Sequence, residues 1–164
     1  MRRLCGSSTD REAVMSEPDR SGAPYAWHPA MAVRALVLIV DDARDNREGY
    51  AEYLTYCGFQ ILQAGDGEKA LAHAREHRPD AIVLDIRLPG QNGLEVARAL
   101  RAEKEFARTV IVALSACVTP ADQKAAIESG CDAFLGKPCL PDALVAELNR
   151  LLESDPKKKH SGIT

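Results

Sequence analysis

Leu36-Val37-Leu38-Ile39-Val40 is an unbroken run of branched aliphatic residues that stops on Asp41-Asp42. A run with no polar residue at alternate positions predicts a strand buried on both faces, as found inside parallel sheets. Three more runs end in a similar way. Ala81-Ile82-Val83-Leu84 stops on Asp85, and Val110-Ile111-Val112-Ala113-Leu114 stops on Ser115. Ala133-Phe134-Leu135 passes through Gly136 into Lys137-Pro138. In a parallel sheet these endings fall on one edge, which gathers carboxylates, a hydroxyl and an ammonium. Such a set suits a magnesium-dependent reaction at phosphate, because Mg2+ prefers hard oxygen ligands and a carboxylate can serve as nucleophile.

Outward from these runs the chain alternates strand and helix patterns. The expected strands are 35–40, 59–63, 81–85, 109–114 and 132–135. A helix over 44–57 places Tyr50, Tyr53, Leu54 and Cys57 on one face and stops at Gly58. A second over 67–77 buries Ala70, Leu71 and Ala74, and Pro79 prevents its continuation. A third over 92–103 presents Leu94, Ala97 and Leu100. A fourth begins at Pro120 and stops at Gly130, and a fifth begins near Pro141 and shows Leu144, Val145, Leu148 and Leu151. Five βα units with right-handed crossovers build an α/β domain, a parallel sheet with helices on both faces. Ligands of such sheets sit at the carboxyl ends of the strands.

The 164 residues suffice for one domain of this kind with tails. Residues 1–32 mix Ser, Pro, Gly and both signs of charge without a period and are read as a disordered extension. The domain is assigned to 33–153 and a short basic tail to 154–164, which leaves no room for a second domain. A net charge of -3 gives no general attraction to nucleic acid. No apolar run approaches the roughly 20 residues of a membrane span. The start, Met1-Arg2-Arg3-Leu4-Cys5-Gly6, lacks the apolar stretch of a secretory signal. Cys5, Cys57, Cys117, Cys131 and Cys139 are odd in number and scattered, as in a reduced cytoplasmic protein. The spacing of Cys131 and Cys139 fits no zinc-ligand pattern.

Four motifs occur in order over about residues 34–153: Leu38-Ile39-Val40-Asp41-Asp42, Leu84-Asp85-Ile86-Arg87-Leu88-Pro89-Gly90 with Gly93, Ala113-Leu114-Ser115-Ala116, and Gly136-Lys137-Pro138. Together they resemble the receiver domain of bacterial two-component response regulators. The resemblance implies a flavodoxin-like, doubly wound (βα)5 fold with strand order 2-1-3-4-5. It implies that Asp85 is the phosphoacceptor. It further implies that Asp42, Asp85 and the backbone carbonyl of Arg87 hold Mg2+, with Asp41 acting through a water. Ser115 and Lys137 then contact the phosphoryl group, and the Lys137-Pro138 peptide is cis. In the family's switch, phosphorylation draws Ser115 toward the phosphate and Phe134 turns into the vacated space. The change is read on the face of the fourth helix, fifth strand and fifth helix.

The implied partners are a sensor histidine kinase or histidine phosphotransfer protein upstream and a protein effector downstream. The expectation is a cytoplasmic, single-domain regulator with no DNA-binding output domain, no nucleic-acid partner and no membrane insertion. It would catalyse its own phosphotransfer and slow autodephosphorylation, without turnover of an external substrate. Leu88, Ser115 and Phe134 depart mildly from the commoner Met, Thr and Tyr.

Three competing readings weigh less. His73-Ala74-Arg75-Glu76-His77 matches the H-x-x-E-H zinc-peptidase pattern, but Ala70, Leu71 and Ala74 mark the core side of that helix. The histidines then fall on its flank or in solvent, with no third ligand from a supporting domain. A phosphohydrolase with an aspartyl nucleophile usually carries an acid two residues after it, where this chain has Arg87. A receiver used only as an unphosphorylated interaction module would not require every site residue to be present. Alternation past Asp85 points Arg87 to the same edge, which predicts that it pairs with Asp41 or with the phosphoryl group.

Overall fold

The computed structural model describes residues 35–154. The extension assigned to 1–32 and the tail from 155 onward lie outside the described residues. In chain order the elements are β1 (Leu36–Val40), α1 (Arg44–Tyr56), β2 (Gln60–Ala64), α2 (Gly67–His77) and β3 (Ala81–Asp85). Two short strands follow, β4 (Arg87–Leu88) and β5 (Gln91–Asn92), and then α3 (Gly93–Ala102) and a 3-10 turn at Lys104–Phe106. The chain continues through β6 (Val110–Ser115), α4 (Pro120–Glu128), β7 (Ala133–Gly136) and α5 (Pro141–Glu153). The sheet runs β2-β1-β3-β6-β7, all parallel. Counting its long strands alone, this is the order 2-1-3-4-5.

The apolar runs are buried because the sheet has helices on both sides. All of β3 and β6 is buried, as is β1 after Leu36, whereas the edge strand β2 is buried only at Ala64. Alternation divides the run side chains between two cores. Leu38, Val40, Ile82, Leu84, Ile111 and Ala113 pack with Ala70 and Ala74 of α2, Val96, Ala97 and Leu100 of α3, and Ala126 of α4. Val37, Ile39, Val83, Val112 and Leu114 pack with Tyr50 and Leu54 of α1 and Leu144 and Leu148 of α5. Each large aliphatic side chain buried in this way contributes about 1.5–3 kcal/mol.

Local chemistry sets where the helices begin and end. Asp66 caps α2 by accepting from the Lys69 amide at 2.8 Å, and Asn92 caps α3 by accepting from the Leu94 amide at 2.9 Å. Thr119 and Asp122 form a reciprocal capping box at the start of α4, with Pro120 in the first turn. Gly58 and Gly130 both sit at φ +95°, the left-handed conformation that ends α1 and α4. α2 instead stops through Arg78, a non-glycine residue at φ 48°, directly before Pro79.

Some expectations are corrected. Tyr53 is exposed, and the buried stripe of α1 is Tyr50, Ala51 and Leu54, because a residue three positions on lies toward the flank of a helical stripe. Cys57 and Leu71 are only partly buried. The loop after Asp85 folds into a small antiparallel hairpin, β4-β5, whose turn has Gly90 at φ 72°. The 3-10 turn, unread in the sequence, places Phe106 fully inside the core.

Candidate functional site

The register of the sheet brings the strand endings together. Val40 pairs with Leu84, Asp85 with Leu114, and Ser115 with Gly136, so the residues after each run emerge at one carboxyl edge. Asp41, Asp42 and Asp85 each bring a ligand oxygen within 4.8 Å of the other two. Asp41, Asp85 and Ser115 are buried polar residues, whereas Asp42 is exposed. Lys137, one residue beyond β7, reaches into this group. Its Nζ donates to Asp41 Oδ2 and to Asp85 Oδ2, each at 2.6 Å. The cation needed to keep these carboxylates together is thus supplied in part by the chain itself.

The remaining carboxylate oxygens are held by the backbone. Asp41 Oδ1 accepts from the Ala43 amide at 2.9 Å, and Asp85 Oδ1 accepts from the Arg87 amide at 2.9 Å. Ser115 Oγ accepts from the Cys117 amide at 3.1 Å, and the Lys137 amide donates to the Ser115 carbonyl at 2.7 Å. The Lys137-Pro138 peptide is cis. Behind the site, the Gly93 amide donates to the Ile86 carbonyl at 2.8 Å. A Cβ at position 93 would collide with the Asp85 carbonyl oxygen and Ile86 Cα, so the start of α3 requires glycine there.

Burial by itself disfavours the Lys137 ammonium, but hydrogen bonds and charge from Asp41 and Asp85 outweigh it and hold the Lys137 pKa above the usual lysine range. The donor set fits a small hard divalent cation. Three carboxylates converge, one of them exposed and not bonded to the lysine, with the Arg87 backbone just beyond Asp85. Phe134 lies on β7, partly buried and packed on the core that includes Leu84 and Ala113.

Arg87 does not pair with Asp41. β3 ends at Asp85, strand alternation stops there, and the Arg87 guanidinium lies over β6's exit with Nη2 at 3.2 Å from Cys117 Sγ. Two contacts at the site went unread in the sequence. Cys117 is one. The other is Arg47 of α1, whose Nη1 donates to the Asp41 carbonyl at 2.7 Å and braces the loop after β1. Its spacing from Asp41 carries no motif, so only the packing of α1 onto β1 could reveal it.

The model of the response regulator receiver domain matches residues 37–149. The chain belongs to the response regulator receiver domain family. Among curated relatives, the DNA-binding response regulator MtrA of Mycobacterium tuberculosis is 40% identical over 124 residues, covering 75% of this chain and 53% of MtrA. The polar-differentiation response regulator DivK of Brucella anthropi is 34% identical over 102 residues, covering 62% of this chain and 83% of DivK. The receiver therefore spans about half the length of the MtrA relatives that it matches. Among solved structures, the chemotaxis protein CheY4 of Vibrio cholerae superposes with a TM-score of 0.69 at 32% identity, over 71% of this chain and 98% of that one. The (βα)5 receiver fold, with its strand order, is thus that of CheY-like domains. Phosphorylation and dependence on Mg2+ are general features of the family. Among the described residues, no helix is long and apolar enough to cross a membrane.

Proposed function

We propose that this receiver takes a phosphoryl group on Asp85 from a phosphohistidine donor, a sensor histidine kinase or a histidine phosphotransfer protein, and passes the signal to a protein effector. The observation that carries this reading is the placement of Asp85. Its buried carboxylate stands at a strand end between a lysine ammonium 2.6 Å away and two further aspartates.

In the transfer, one Asp85 oxygen attacks phosphorus, the phosphorus–nitrogen bond of the donor breaks, and the pair leaves with the imidazole. The product is an aspartyl phosphate, which water later hydrolyses to carboxylate and inorganic phosphate. Asp42, Asp85 and the Arg87 carbonyl would hold Mg2+, with Asp41 acting through a water, and the ion would neutralise charge on the phosphoryl oxygens. Lys137 is already aimed at the acceptor oxygen and offers fixed positive charge to the incoming group. The Ser115 hydroxyl, buried on the neighbouring strand, is the donor available to a phosphoryl oxygen.

The phosphoryl group adds about -1.5 to -2 charge at one point. Ser115 follows it, and Phe134, on the strand paired with β6, fills the space and alters the face of α4, β7 and α5. Exposed apolar side chains lie on α4 at Ile127 and shortly before α4 and α5 at Val118 and Leu140, which suits a protein partner. The overall charge of -3 supports neither nucleic-acid nor membrane binding by the receiver itself. The chemistry is self-modification. Arg87 stands where a phosphohydrolase of this type carries its acid, which argues against turnover of external phosphomonoesters. Such turnover, if measured, would replace the proposal.

Incubation with acetyl phosphate and Mg2+ tests the acceptor. An acid-stable, base-labile adduct is expected on the parent and not on Asp85→Ala. Absence from the parent, or persistence in the variant, overturns the assignment. Capture of a partner from cell extract only in the presence of beryllofluoride would then identify the effector.

A further inference from the structure

α2 carries a second group of ligand-bearing side chains, away from the acidic cluster. The helix starts after β2's carboxyl end and returns to the start of β3, so its last turn lies at the opposite edge of the sheet. There His73, Glu76 and His77, at i, i+3 and i+4, each bring one ligand atom within 4.8 Å of the others. The two imidazole rings stack with centroids 5.8 Å apart and planes 24° apart. Glu76 Oε2 is 3.6 Å from His77 Nε2.

The ordinary account of a half-buried histidine is a hydrogen bond that holds its ring in place. It does not apply to His73, whose Nδ1 is the one buried side-chain nitrogen or oxygen without a hydrogen-bond partner among the described residues. A buried polar atom left in this state costs stability. The neighbouring cations do not serve the cluster either. Arg75 pairs with Glu103 at 2.7 Å and Arg78 with Glu105 at 3.2 Å. Glu76 is thereby left beside the two histidines. The C-terminal turn of a helix also carries partial negative charge, which favours a bound cation.

We propose that His73, Glu76 and His77 form a binding site for a borderline transition-metal ion, Zn2+ foremost, distinct from the carboxylate site at Asp85. Two imidazoles and one carboxylate on one helical face match the ligand types of zinc, whereas Mg2+ prefers all-oxygen surroundings. With three ligands from one turn and His77 and Glu76 exposed, the remaining coordination positions open to solvent. The site would pin the last turn of α2 and its left-handed exit at Arg78.

Zn2+ is titrated calorimetrically into the full chain with Mg2+ in excess, so that the acidic cluster is occupied. One equivalent is expected to bind, and Co2+ in its place is expected to give visible d–d absorption of a nitrogen-ligated ion. His77→Gln and His73→Gln should each weaken binding at least by the roughly 10–100-fold that loss of an outer-shell partner costs. Glu76→Gln, at an exposed position, should weaken it as well, and Asp85→Asn should leave it unchanged. The proposal is overturned if the parent binds no zinc, if binding survives in the His73→Gln/His77→Gln double variant, or if Asp85→Asn abolishes it. It does not depend on Asp85 being a phosphoacceptor.

Discussion

At the scale of single residues, Lys137 is the cation that lets Asp41 and Asp85 share a buried edge. Lys137→Ala leaves two buried carboxylates facing each other, and the expected loss is about 3–5 kcal/mol, the usual cost of breaking a buried pair. Urea unfolding measures it, and added Mg2+ should restore more stability in the variant than in the parent. The Lys137 pKa is raised, so its contribution is complete below the unfolded lysine value of about 10.4 and is lost only as pH rises through the folded value. Cys131 is the second group whose titration bears on stability. Burial, partly offset by Arg101, pushes its thiol up to about 11. Its stabilising share is therefore present at neutral pH and falls as pH rises from about 9 toward 11, by about 2–3 kcal/mol in all. Denaturation midpoints at pH 8 and 10.5 should show that slope, and Cys131→Ala should flatten it. Alkylation at neutral pH followed by peptide mapping should label exposed Cys117 well before buried Cys131.

At the scale of elements, the start of α3 is fixed against the end of β3 through Gly93. Gly93→Ala places a methyl group on the Asp85 carbonyl and should displace Asp85, the proposed acceptor. A misplacement of this kind is expected to slow phosphorylation by acetyl phosphate about 10²-fold, with a stability loss of about 1–3 kcal/mol. An unchanged rate would mean that the hairpin β4-β5 absorbs the shift. The capping box of α4 is a separate device. Thr119→Ala should cost about 1 kcal/mol by chemical denaturation, because the Thr119 hydroxyl's bonds to the Asp122 amide and carboxylate are lost.

At the scale of the whole molecule, two cores on opposite faces of one sheet make the strand ends a common reporting edge. Ser115, Gly136 and Lys137 are linked through the β6-β7 pairing and the Lys137 amide, which gives a change at Asp85 a route into β7. Beryllofluoride with Mg2+ should alter hydrogen exchange across α4, β7 and α5. A change confined to the loops around Asp85 would leave Phe134 without a switching role. Phe106 belongs to the core beneath α2, α3 and α4. Its removal to Ala should cost about 3–5 kcal/mol, since it is fully buried beneath the 3-10 turn.

The strands, their order of burial and the acidic edge were legible in the sequence because an unbroken aliphatic run has few alternatives to a two-sided buried strand. Asp41, Asp42, Asp85, Ser115 and Lys137 follow those runs directly, so period and ending located them together. Motif resemblance then supplied their family. What depended on distant packing was not legible. Arg47 bracing the Asp41 carbonyl, Arg87 turning to Cys117, Phe106 filling the core and His73 keeping an unbonded nitrogen are set by neighbours far apart in the chain. Local pattern determines which residues leave a strand and at which edge. Only the tertiary structure decides which partner each side chain meets there, because that depends on the simultaneous packing of several elements.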